Sequence, residues 1–218
     1  MPKQFDLIVF DWDGTLMDSA GVIAASIQAA CCDLGLAEPS EQAARHIIGL
    51  GLNEAIAHLL PTLPAADYPR MVERYRHHFL GKDQDIPLFA GAEHVVRDLH
   101  QSGFLLGVAT GKSRRGLDRV LDHTGLRAYF HATRCADECF SKPHPEMLEQ
   151  LMDELGATRQ RTLMIGDTSH DLQMAQNAGV PSLAVSYGAH LRADLLTHTP
   201  LACVDSIAEM ETWLRANA

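Results

Sequence analysis

Leu7-Ile8-Val9-Phe10-Asp11-Trp12-Asp13-Gly14-Thr15-Leu16 is the stretch that decides the fold. Four apolar residues in a row, ending at an Asp-x-Asp-Gly corner, read as a short strand covered on both faces, since a strand with one wet face would alternate. Three more such runs follow, at Leu105-Leu106-Gly107-Val108-Ala109, Thr162-Leu163-Met164-Ile165 and Leu183-Ala184-Val185, with a strand-like Phe130 to Thr133 between the second and third. Helical periodicity separates them. Ala92, Val95, Val96 and Leu99 fall at i, i+3, i+4 and i+7; Met147, Leu148, Leu151, Met152 and Leu155 repeat the stripe, and Ile207, Met210 and Leu214 close the chain. Strands alternating with helices imply an α/β fold, a doubly wound parallel sheet of Rossmann-like form with right-handed crossovers.

Residues 18–85 break the alternation. No strand pattern is present there, only helical spacing at Val22, Ile23, Ile27 and Leu34, at Leu52, Ile56 and Leu59, and at Met71, Val72, Tyr75 and Phe79, punctuated by Pro61, Pro64 and Pro69. A crossover needs far fewer residues, so the segment is expected to be a small helical domain set into the core. The expected division is 1–17 with 86–218 for the core and 18–85 for the insertion, with hinges near Met17 to Ala20 and Gln84 to Pro87.

The chain has 218 residues, 28 Asp and Glu against 18 Lys and Arg, a formal charge of −10, and 46% hydrophobic residues, enough for a sizeable core. An acid excess with no basic run has the wrong sign for nucleic acid or an anionic membrane surface. No uncharged apolar run approaches a bilayer span, and Met1 to Asp6 show no secretory pattern, so a cytoplasmic location is expected. Five cysteines at irregular spacing suit a reducing compartment, as free thiols.

In an open α/β sheet, ligands gather at the carboxyl ends of the strands. There the sequence places Asp11 and Asp13, then Thr110-Gly111, then Ser141-Lys142-Pro143 ahead of a helix, then Gly166-Asp167 with Asp171 four residues on. In an extended chain residues i and i+2 project to one side, so Asp11 and Asp13 point together and Trp12 away. Four carboxylates converging on one crevice repel unless a cation joins them, and an all-oxygen set suits Mg2+. Lys142 and Thr110 can then donate to a phosphate from the other side, with Gly14 and Gly111 admitting close backbone approach.

This ordered set resembles the haloacid dehalogenase superfamily of phosphohydrolases. The match spans essentially the whole chain: Asp11 to Leu16 as the first motif, Thr110 the second, Lys142 the third, and Gly166-Asp167 with Asp171 the fourth. The helical insertion is similar to that family's C1-type cap, and the segment Cys135 to Pro145 with the general layout is similar to phosphoglycolate phosphatases. The resemblance implies a Mg2+-dependent phosphatase of a small phosphorylated metabolite, with Asp11 as nucleophile and Asp13 as general acid and base. It implies Mg2+ on the Asp11 side chain, the Asp13 backbone carbonyl and Asp167, with Asp171 ligating or supporting, and Thr110, Gly111 and Lys142 on the phosphate. A phosphomutase, a pyrophosphatase and a non-enzymatic phospho-aspartate signalling or binding module are the alternatives. Taken alone, Asp167 or Asp171 could simply stabilise the start of a helix. Arg45, His144 and His170 are candidate substrate contacts, Gly49-Leu50-Gly51 a candidate loop over the site, and the oligomeric state is open.

Overall fold

In a computed structural model, which describes residues 3–218, six strands form one parallel sheet in the order β3-β2-β1-β4-β5-β6. They are β1 (Leu7–Phe10), β2 (Leu105–Thr110), β3 (Ala132–Cys135), β4 (Thr162–Gly166), β5 (Ser182–Val185) and β6 (Ala202–Val204). Met1 and Pro2, which the sequence reading counts with the core, lie outside the described residues. The central strand, β1, pairs with both β2 and β4, Phe10 standing opposite Val108 on one side and Ile165 on the other. The strand order reverses between β1 and β4, and there the crevice opens.

The side chains of β1 show why the run is continuous rather than alternating. Leu7 and Val9 join a cluster with Met147, Leu148 and Leu151 of α7 (Glu146–Leu155) and Met174 of α8 (Ser169–Ala178). Ile8 and Phe10 join another with Val95 and Leu99 of α5 (Ala92–Gln101), Leu117 and Leu121 of α6 (Arg114–Thr124) and Met210 of α10 (Ile207–Asn217). Both faces are dry, and all four residues are fully buried. Complete burial of each contributes roughly 1.5–3 kcal/mol.

Two elements depart from the sequence reading. Strand β6 carries only three residues, too few for periodicity to mark. At β3 the strand begins and ends two residues later than the Phe130 to Thr133 run, because Arg134 occupies an edge position where a polar side chain can leave the sheet. Arg134 uses it to reach Gln150 and Glu154.

Between β1 and α5 the chain forms α1 (Ala20–Asp33), α2 (Glu41–His46), α3 (Leu52–Leu59) and α4 (Tyr68–Leu80). Helix α1 packs on both α2 and α4. Their apolar residues run into the same cluster as the α5 face of the sheet, so the helices sit on the core as a continuation of it. The outgoing and returning chains lie side by side: Asp18 N–H donates to Pro87 O at 3.0 Å and Phe89 N–H to Leu16 O at 2.9 Å. Among the described residues no helix is long and apolar enough to cross a membrane.

Candidate active site

Asp11 extends β1 by one residue, its N–H donating to Ile165 O of β4 at 2.9 Å, so its side chain stands at the carboxyl edge of the sheet. Trp12 turns into the core, edge-on to Phe130 at 6.2 Å between ring centroids, and donates from Nε1 to Met17 Sδ at 3.4 Å. Asp11 and Asp13 both line the crevice, as their spacing predicts. They are not left to repel each other, because each has its own lysine. Lys142 Nζ lies 2.7 Å from Asp11 Oδ1, and Lys112 Nζ lies 2.9 Å from Asp13 Oδ1. Asp13 Oδ1 also accepts from Ser19 Oγ at 2.6 Å. Both contacts of Asp13 fall on Oδ1, leaving Oδ2 available.

Lys142, in the loop between β3 and α7, is only 2% exposed and also reaches Asp171 Oδ1 at 2.6 Å. Burial by itself works to lower its pKa, but Asp11 and Asp171 outweigh it and hold the ammonium above the ordinary lysine value. Asp171 uses its other oxygen locally. Thr168 is the N-cap of α8, and Asp171 Oδ2 accepts from Thr168 N–H at 3.1 Å and Oγ1–H at 2.7 Å, closing a capping box. Asp171 therefore caps its helix with one oxygen and meets Lys142 with the other.

Asp167 directly follows β4. Its Oδ1 accepts from Thr15 Oγ1 at 2.7 Å and its Oδ2 from Ala189 N–H at 2.7 Å. Gly14, at φ +85°, carries no side chain because a Cβ there would strike the Asp167 carboxylate. Burial, with Asp11 and Asp171 close by, raises the Asp167 pKa well above the ordinary carboxyl value, against the pull of those two hydrogen bonds. Burial likewise pushes Asp11 up to about 7, with Asp171 and Asp13 adding to the rise and Lys142 opposing it.

Asp11, Asp167 and Asp171 present oxygens within 4.8 Å of one another, all three residues buried. Asp11 Oδ2 is the one buried side-chain polar atom without a hydrogen-bond partner among the described residues. A buried carboxylate with one orphaned oxygen, grouped with two more acids and a single ammonium, is a hard-oxygen environment short of positive charge, and it fits a divalent cation such as Mg2+. The Asp13 carboxylate is not in this group; its Oδ1 turns instead to Lys112 and Ser19.

Thr110 is the last residue of β2 and fully buried; its Oγ1 accepts from Lys112 N–H at 3.2 Å, which leaves its own O–H to donate. Gly111 has a different reason from the one its sequence suggests. A Cβ on it would meet the carbonyl oxygens of Leu50 and Gly49 at 2.5 and 2.6 Å, so its bare backbone admits the loop between α2 and α3, and Gly111 itself lines the cavity. That loop, Gly49-Leu50-Gly51, does face the site, and Gly51 N–H is held by Ser141 Oγ at 2.7 Å. Together these walls enclose a cavity of about 520 Å3.

Three candidate contacts are not placed there. Arg45 pairs with Glu41 at 2.9 Å, one turn back on its own helix. His144 lies tilted against the Phe140 ring and accepts from Glu146 N–H. His170 reaches His46 O at 2.8 Å and, with His190, joins α2 to the core beside the crevice. None of the three lines the cavity. Conversely, Lys112, Ser19, Thr15 and Ala189 support the acids without having been expected to; Lys112, two residues past Thr110 at a strand end, carried the one usable signal.

A family model described as haloacid dehalogenase-like hydrolase matches residues 8–185. The chain is 34% identical over 210 residues to "Probable phosphatase IndB" of Dickeya dadantii, covering 94% of this chain and 91% of that one. It is 32% identical over 191 residues to a phosphoglycolate phosphatase of Agrobacterium fabrum, covering 84% and 81%. A crystal structure of a hydrolase from Pseudomonas syringae superposes with a TM-score of 0.89 over 99% of both chains at 18% identity, a likeness of fold. Four motifs brought to one crevice, a parallel sheet with helices set in after its first strand, and relatives matched over nearly their full length agree: the chain belongs to the haloacid dehalogenase-like hydrolase family.

Proposed function

We propose that the chain is a Mg2+-dependent phosphatase of small phosphorylated metabolites that works through an aspartyl-phosphate on Asp11. The observation that carries the reading is Asp11 itself: Oδ1 is fixed by Lys142, while Oδ2 is buried, unpartnered and at the edge of a cavity shared with Asp13 and Thr110. An oxygen held in place and free of hydrogen bonds is suited to attack phosphorus. The names of the phosphatase relatives support the same class.

In the first step a bond forms between Asp11 Oδ2 and phosphorus as the ester P–O bond breaks, and Asp13 gives a proton to the departing alkoxide. In the second, Asp13 takes a proton from the water that attacks the same phosphorus, and Asp11 is regenerated as inorganic phosphate leaves. Lys142 and the Thr110 O–H neutralise charge on the phosphoryl oxygens, the electrostatic contribution that dominates such transfers. Mg2+ held by Asp11, Asp167 and the Asp13 carbonyl, with Asp171 beside them, would add positive charge at those oxygens. Residues 18–85 act as a cap on a core of 1–17 and 86–218, excluding bulk water and admitting a small molecule rather than a folded phosphoprotein.

The test is phosphate release from a panel holding 2-phosphoglycolate, sugar phosphates, nucleoside monophosphates and pyrophosphate, with and without Mg2+, and with Asp11→Asn as the blank. Release that needs Mg2+ and is absent from the variant is expected. Undiminished release by Asp11→Asn, or isomerised hexose phosphate with no free phosphate, would overturn the assignment.

A further inference from the structure

The chain has 14 arginines. Twelve of them form a salt bridge with an Asp or Glu. Among the described residues Arg76 and Arg115 do not, and neither donates a side-chain hydrogen bond. Both line the active-site cavity. In a protein with ten surplus acids, two arginines left without a carboxylate, and both on one cavity, mark a place where a counter-charge is to be supplied from outside.

The packing around them explains why the place is kept open. The chain around α4 and the chain around α6 meet at two joints: Lys112, just ahead of α6, lies over the Phe79 ring of α4 at 5.0 Å, and Arg119 of α6 pairs with Asp83, three residues past α4, at 2.6 Å. Arg115 stands one turn before Arg119 on the same face of α6, and Arg76 one turn before Phe79 on α4. Arg119 has Asp83 as its partner, whereas Arg115 one turn away has no acid among the described residues. The lining of the same cavity also includes the apolar side chains of Ile23, Val72, Tyr75 and Phe79.

We propose that Arg76 and Arg115 bind a second anionic group of the substrate, a carboxylate or a phosphate separated from the transferred phosphoryl group by a carbon body. The inference rests on the phosphatase reading and specifies its substrate class: phosphomonoesters with two anionic ends. A guanidinium offers a planar fork that a carboxylate or phosphate can bridge with two hydrogen bonds. Because Arg76 comes from the inserted helices and Arg115 from the core, one bound anion ties the two parts together over the reacting phosphate.

Non-hydrolysable phosphonates test this without turnover. Titration calorimetry on the Mg2+-loaded protein would compare phosphonoacetate, phosphonopropanoate and phosphonobutanoate with the alkylphosphonates of the same carbon count. At least one carboxylate-bearing member should bind about tenfold tighter than the alkylphosphonate of the same carbon count, which lacks the second anionic group. Arg76→Gln and Arg115→Gln should each remove most of that preference, leave alkylphosphonate affinity unchanged, and leave the melting temperature in place, since both side chains are exposed. Propane-1,3-diphosphonate distinguishes the two sources: tighter binding than any carboxylate assigns the second group as phosphate, weaker binding as carboxylate. Equal affinity within every pair, no binding of any member, or a preference that survives in the double variant would overturn the inference. The phosphatase reading would still stand or fall on phosphate release.

Discussion

Raising the pH of the metal-free protein should destabilise it, and Asp11→Asn should abolish much of that loss. Asp11 is raised from 3.8 to about 7 by burial and its acidic neighbours. Between those values the folded protein keeps a proton that the unfolded chain has released, so stability falls as pH rises through the window and levels off above it. At 1.36 kcal/mol per pKa unit, the rise corresponds to a ceiling of about 4 kcal/mol. Asp167 acts in the same direction. Lys142, raised above its usual 10.5, keeps its charge throughout and contributes no slope. For a chain of this size the ceiling is roughly 8–16 °C in melting temperature. Thermal melts in chelator at steps from about pH 4.5 to about pH 8 would measure it, each against Asp11→Asn so that the background of ordinary carboxyl groups cancels. The two proteins should melt together at the acid end and diverge towards neutral pH, the variant becoming the more stable. Added Mg2+ should restore the wild type, more strongly at high pH where its ligands have lost their protons. Parallel profiles across the range would refute the idea that the carboxylate cluster is short of positive charge.

Other outcomes follow from single contacts. Asp13→Asn keeps the Ser19 hydrogen bond but can no longer pass a proton, so turnover of an alkyl phosphate should fall roughly 10²–10⁴-fold with the fold intact by circular dichroism. Lys142→Met strands Asp11 and Asp171 without their shared ammonium; chemical denaturation in chelator should show a loss of about 3–5 kcal/mol, and activity should vanish. Gly111→Ala would push a methyl into the Gly49 and Leu50 carbonyls, and proteolysis within 49–51 should accelerate while the core melts within a few degrees of wild type.

Much of the fold was legible because parallel strands buried on both faces leave continuous apolar runs, as Leu7 to Phe10 do. The inserted helices were legible for the complementary reason that residues 18–85 carry helical spacing and no strand. Strand β6 was not, since three residues hold no period. Of the site, the acids, Thr110 and Lys142 could be found because each follows a strand or precedes a helix, where a parallel sheet collects its chemistry. Arg45 and His144 misled because adjacency in sequence was taken for adjacency in space; one answers to its own helix and the other to Phe140.

By itself the sequence determined the order of the strands up to β5 and of the longer helices, the place of the helical segment after the first strand and the residue types at the strand ends, because all of these depend on local periodicity and on where the chain turns. Only the tertiary structure decided which charge meets which. Lys112 stands against Asp13, Lys142 between Asp11 and Asp171, Thr15 on Asp167 across 152 residues, and Arg76 and Arg115 line one cavity, neither forming a salt bridge among the described residues. Those pairings arise from packing elements far apart in the chain, and electrostatic energies at 3 Å are set by that packing, which no periodicity encodes.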